Sequence, residues 1–128
     1  MILGIGCDLL DMRRIEKAVK RFPNRFAERL LSLDEKKDPR AKTPTSMAKR
    51  FAAKEACSKA CGVGIGCFLS FQDITIKHGQ KAAPQIFLSP QAVDKIWGGK
   101  IAPSEIKLDL SLSDEYPYVQ AFVILSRV

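Results

Sequence analysis

The sequence predicts an α+β fold, a largely antiparallel sheet with one long helix packed across it. Two observations carry this. Strand-like segments come in pairs joined by short turns, QDITIKH with PQIFL and EIKLDLSLS with YVQAFVILSRV, which is the pattern of antiparallel hairpins. Ahead of them lies TSMAKRFAAKEACSKACG, rich in Ala and other helix formers, free of internal Gly or Pro, and stopped by Gly62. No repeat or composition shift divides the 128 residues, so residues 1–128 read as a single domain.

The elements follow in order. MILGIGCDLL is a strand with a glycine-relaxed middle. Asp11 is placed to cap the helix DMRRIEKAVKRF, where Ile15, Val19 and Phe22 share an apolar face. Pro23-Asn24 interrupts it, and RFAERLLS forms a second short helix. LDEKKDPRAKTPT is charged, carries two prolines and reads mostly as loop. On the long helix, Ala48, Ala52, Ala56 and Ala60 make a stripe of small side chains against which something packs very close. GVGIG and GQKAAP are turns. Ser89 and Pro90 start a short helix, SPQAVDKIWGG. Ile106, Leu108, Leu110 and Leu112 share one face of the next strand, DEYP turns the chain, and the nearly continuous apolar YVQAFVILSRV is the central strand.

Composition sets bounds. At 46% hydrophobic the chain has material for a core. It shows no signal-peptide pattern and no apolar run near the ~20 residues a membrane span needs, so a soluble, cytoplasmic protein without membrane insertion is expected. The net charge of +7 suits an acidic partner, and its cations concentrate in Arg13 to Arg29 and Lys36 to Lys59. Cys7, Cys57, Cys61 and Cys67, with His78 as the lone histidine, lack zinc spacing and read as reduced thiols.

The chemistry concentrates in two stretches. GIGCD is not a dinucleotide fingerprint, because Leu9 stands where the third glycine belongs. Gly4 and Gly6 leave room for another backbone, for a neighbouring chain or for a ligand. Asp8 either caps locally or has a cation partner, since an unpaired buried carboxylate is costly. In RFAAKEACSKA, Glu55 and Lys59 lie four apart on one helical face, the spacing of an ordinary surface ion pair. With Arg50, Lys54 and the GVGIG turn they also look like a site for a metal-bound phosphate ester, because Mg²⁺ takes one or two carboxylates and fills its shell with phosphate and water. Asp8 and Glu55 are the candidate ligands. Ser46-Met-Ala-Lys49 matches S-x-x-K, but no S-D-N or K-T-G accompanies it, so acyl-serine chemistry is disfavoured.

GIGCDLLDMRRIE resembles the N-terminal signature of the holo-acyl-carrier-protein synthases, small 4′-phosphopantetheinyl transferases, and RFAAKEACSKACGVGIG resembles their second signature. FAERLL, LSFQDI and the C-terminal segment from Ser111 to Ile124 match in the same order, so the likeness spans nearly the whole chain. It implies transfer of 4′-phosphopantetheine from coenzyme A to a serine of apo-acyl carrier protein. The transfer is Mg²⁺-dependent, releases adenosine 3′,5′-bisphosphate and serves fatty acid biosynthesis. By motif, Asp8 and Glu55 would hold Mg²⁺ and Lys59 would contact the pyrophosphate. Arg50, Gly62 and Lys81 would lie along coenzyme A. Arg14, Arg21, Arg25 and Arg29 would meet the acidic helix of the carrier protein, with Phe26 as an apolar anchor. The serine proton would pass to Glu55, Asp8 or a metal-bound water. The resemblance also implies a homotrimer with active sites between subunits. Three places depart from the pattern: Asp114 stands where a histidine is common, GQKAAP replaces a more compact hairpin, and the region after the first helix carries one extra residue around Pro23, which bears on the carrier-protein contacts.

A basic binding module for RNA or an anionic surface competes with this reading. Aromatics are only 8%, and Phe71, Phe87, Tyr116 and Tyr118 lack the spacing of a stacking platform, so a nucleic-acid partner is not expected. A structural subunit, with Glu55 and Lys59 as a plain surface pair, is the third. Dependence on Mg²⁺ separates the transferase from both.

Overall fold

The computed structural model describes residues 1–78 and 83–128. Strand β1 (Ile2–Asp11) runs into helix α1 (Met12–Arg21), followed by α2 (Pro23–Leu30) and a single turn, α3 (Leu33–Lys36). The long helix α4 (Pro44–Cys61) comes next, then β2 (Ile74–His78), β3 (Pro84–Leu88), α5 (Pro90–Trp97), β4 (Ile106–Glu115) and β5 (Tyr118–Arg127). All strand pairs are antiparallel: β2 with β3, and β5 as the central strand between β1 and β4. The expected architecture is therefore the one observed.

α4 covers one face of the three-stranded sheet. Val119, Ala121, Val123 and Leu125 of β5 point inward and are buried with Ala48, Ala52, Ala56 and Ala60 of α4 in one core. The alanine stripe brings backbone to backbone. A Cβ added at Gly6 would overlap the Ala56 carbonyl oxygen and lie 2.7 Å from the Ala60 nitrogen, and one added at Gly4 would overlap the Ala60 carbonyl oxygen. The two glycines thus admit α4 itself, and the space belongs to no ligand or neighbouring chain.

Local caps explain the helix starts. The Asp11 carboxylate accepts from the Arg13 amide at 3.0 Å and from its guanidinium at 2.6 Å, which holds the acid down at about 2. Ser89 accepts from Ala92 N–H, as expected of its cap position. Two expectations fail. Residues 33–42 are not mostly loop: Ser32 and Glu35 form a reciprocal capping box that nucleates α3, and a 3₁₀ turn covers Pro39–Lys42. Phe22 leaves the apolar face and is exposed at the α1–α2 junction, with the Arg21 guanidinium 5.2 Å from its ring centre. Residues 79–82 of the GQKAAP turn, including Lys81, lie outside the described residues.

Candidate active site

Strand β1 and helix α4 meet at the glycines, and the meeting builds the site. Asp8 sits two residues past Gly6 on the inward face of β1, opposite Ala121 of β5, and its side chain is 17% exposed. From α4, Lys59 reaches across and bonds both the Asp8 carboxylate (3.2 Å) and the Cys7 carbonyl (2.8 Å). It does not pair along the helix with Glu55, so the plain surface pair is not what forms.

Glu55 stands one turn earlier on α4, half-buried. Burial first, and the Asp8 charge second, push its carboxyl above the ordinary value, while Lys59 and Arg14 pull it back. Two carboxylates close enough to repel, with a lysine bonded to Asp8 alone of the two, form an incomplete charge arrangement. A divalent cation would complete it. Among the described residues no group of three ligating side chains occurs. A pair of carboxylates with room for water and phosphate is the donor set Mg²⁺ prefers, so the residues fit that ion.

Glu55 also borders a cleft of about 370 Å³ whose other walls are Phe26, Arg29, Leu30, Phe51, Ile65 and Phe71. Phe26 and Arg29 of α2 therefore open onto the same space as Glu55. Arg14, Arg21, Arg25 and Arg29 are all exposed, and among the described residues none has a carboxylate within 4.0 Å. Of these, Arg29 lines the cleft itself and Arg14 is near enough to Glu55 for its charge to act on that carboxyl.

Other candidates sit elsewhere. Gly62 ends α4 in the left-handed conformation (φ 73°), with its N–H on the Lys59 carbonyl. Arg50 is buried: its Nε donates to Glu35 at 3.0 Å and an Nη donates to Ser46. It lines a polar cleft of about 250 Å³ that Arg40, Lys77 and His78 also border. Lys54, grouped from sequence with the phosphate-facing cations, points the other way. It is wholly buried and bonds Glu35 (2.5 Å) and the Leu30 (2.7 Å) and Phe71 (3.0 Å) carbonyls. Glu35 was hidden in a segment read as loop, although the Ser32-x-x-Glu35 spacing is a capping-box signal. Asp114 lies 3.7 Å from the Lys49 ammonium.

Residues 4–119 match the model of the 4′-phosphopantetheinyl transferase superfamily. The chain is 42% identical over 130 aligned residues to the holo-[acyl-carrier-protein] synthase of Rhizobium leguminosarum, covering 100% of this chain and 97% of that protein. The crystal structure of the Neisseria meningitidis synthase superposes with TM-score 0.85 at 39% identity, covering 99% of this chain and 100% of that one. The Helicobacter pylori synthase in complex with coenzyme A gives TM-score 0.80 at 43% identity, covering 95% and 99%. Matched along almost its whole length by the family model, by the Rhizobium enzyme and by the Neisseria structure, the chain belongs to the 4′-phosphopantetheinyl transferase superfamily, in its holo-[acyl-carrier-protein] synthase family.

Proposed function

We propose that the protein transfers 4′-phosphopantetheine from coenzyme A to a serine of apo-acyl carrier protein and releases adenosine 3′,5′-bisphosphate, a step that supplies fatty acid biosynthesis. The observation that carries the reading is the convergence of Asp8 with Lys59 at 3.2 Å and with Glu55, whose carboxyl feels the Asp8 charge. The serine oxygen forms a bond to the phosphorus that bears pantetheine. The bond from that phosphorus to the bridging oxygen breaks, and the electron pair leaves with the nucleotide. Such transfers need charge neutralisation and alignment more than covalent help from the protein.

Asp8 and Glu55 would hold Mg²⁺, which when bound supplies positive charge to the pyrophosphate. Lys59, bonded to the Asp8 carboxylate and the Cys7 carbonyl, would add a second cation toward the leaving group. Arg50 and Gly62, with Lys81, are the proposed contacts along coenzyme A. Asp8 and Glu55 are the two carboxylates of this chain at hand to take the serine proton. The basic surface of Arg14, Arg21, Arg25 and Arg29 would receive an acidic carrier, and Phe26 would seat an apolar side chain in the cleft beside Glu55. We also propose a homotrimer with each site between subunits. The outer face of the sheet supports it: Ile5, Leu9 and Phe122 lie there exposed.

The test is the intact mass of an apo-acyl carrier protein after incubation with the protein and coenzyme A, with Mg²⁺ or with chelator. A phosphopantetheine-sized gain only with Mg²⁺ is expected. No gain from folded protein and a competent carrier would refute the assignment.

A further inference from the structure

One buried carboxylate touches more of the molecule than any motif residue. Glu35 is 3% exposed, and its two oxygens accept four bonds. Oε1 takes Ser32 N–H at 2.9 Å and Lys54 Nζ at 2.5 Å. Oε2 takes Arg50 Nε at 3.0 Å and Ile76 N–H at 3.1 Å. The segment before α3, helix α4 and strand β2 are thereby joined on a single side chain. Lys54 extends the junction to the Leu30 and Phe71 carbonyls.

Stability alone does not account for this arrangement. Desolvating three charged groups is expensive, and well-packed apolar residues of equal volume are often as stable or more so. What a saturated charge cluster adds is a single geometry. This cluster lies between two clefts. On one side Arg50 and Glu35 border the polar cleft with Arg40, Lys77 and His78. On the other, Leu30 and Phe71, whose carbonyls hold Lys54, wall the cleft that ends at Glu55.

We propose that Glu35 is a positioning residue for the transfer: through Arg50 it sets the cation that meets coenzyme A, and through Lys54 it sets the cleft wall that meets the carrier protein. This rests on the transferase reading above. Glu35 touches neither substrate in this assignment and acts only through its two partners.

The two routes can be separated. K54M keeps the volume and leaves Glu35 on Arg50 and Ile76, but unties Leu30 and Phe71. Its KM for apo-carrier protein should rise about tenfold, with the KM for coenzyme A within about twofold of wild type. E35Q offers donors one oxygen and a mismatched NH₂, so both KM values should rise about tenfold or more. Kinetics run well below each variant's Tm, with calorimetric titration of coenzyme A alongside, give readouts that a purely structural role would not move. If both variants only lose Tm and keep wild-type constants per folded molecule, the positioning role is overturned. If E35Q does not fold, the K54M split decides: a selective carrier effect supports the proposal, and unchanged constants overturn it. Failure of the underlying reading looks different, because wild type would then neither modify the carrier nor bind coenzyme A, and the proposal would fall with it.

Discussion

At the scale of single residues, Asp8 and Glu55 are part-buried carboxylates near enough for one charge to act on the other. Asp8 is mostly buried on a strand where a Leu or Val would pack, and its stable partner is Lys59. Glu55 is disfavoured as an anion by burial and by Asp8. The sign of that effect is testable. Because the folded-state pKa of Glu55 is raised above the ordinary 4.5, its ionisation subtracts stability as pH rises from that value through the folded pKa, and the loss persists at neutral pH. E55Q should therefore be at least as stable as wild type at pH 7 without metal, and the difference should vanish below the ordinary carboxylate range. The same variant should lose Mg²⁺-dependent transfer by about 10²-fold or more, as should D8N. Urea unfolding at two pH values and the carrier mass assay check both halves. A less stable but active E55Q would remove Glu55 from the site.

At the scale of elements, the packing of β1 on α4 makes the site possible, and two glycines make the packing possible. G6A would drive a methyl into the Ala56 carbonyl, which is backbone and cannot swing away. Overpacking of this kind costs about 1–3 kcal/mol and sometimes more, so G6A should lower the urea midpoint sharply or abolish folding. A G6A protein with wild-type stability would mean that α4 can shift. The exposed arginines of α1 and α2, proposed as the carrier-docking surface, bear on a different property. R14E should raise the KM for carrier protein well beyond any change for coenzyme A, in steady-state assays at low salt, where charge matters most. Equal losses would move Arg14 out of the docking surface. Much of this layer was legible in the sequence. The alanine stripe and the glycine pair foretold a close approach, Asp11 and Ser89 foretold their helices, and YVQAFVILSRV foretold the central strand. The direction of Lys54 was not legible, because burying an ammonium depends on a carboxylate 19 residues away in sequence and on two carbonyls from other segments. Glu35 was missed for the same reason in reverse. Its capping-box spacing was visible, but its meeting with Arg50 and Lys54 exists only once α3 and α4 pack together. Phe22 kept the right helical spacing and still faces solvent, because the chain turns at Pro23 before that face closes.

At the scale of the whole molecule, the sheet is finished on one side and bare on the other. Inward residues of β5 are fully covered by α4, while the outer face carries Ile5 (61% exposed), Leu9 (67%) and Phe122 (40%), with Phe122 directly paired to Cys7 of β1. At roughly 25 cal/mol per Å² of apolar surface, leaving several such side chains in water is a standing penalty, and covering them is a ready source of association energy. The sheet face is built from the same strand that carries Asp8, so an assembly closing over it would bring a second chain beside the site. The proposed trimer makes a specific claim about order of loss. Wild-type protein should sediment at three times the subunit mass. F122E and L9E, which bury a charge if the face is covered and change little if it is not, should sediment as monomers with near-normal thermal unfolding of the subunit and little transfer activity. A wild-type protein that is monomeric and fully active would overturn the shared-site arrangement. A trimeric, active F122E would instead leave the trimer standing and locate its interface on another face.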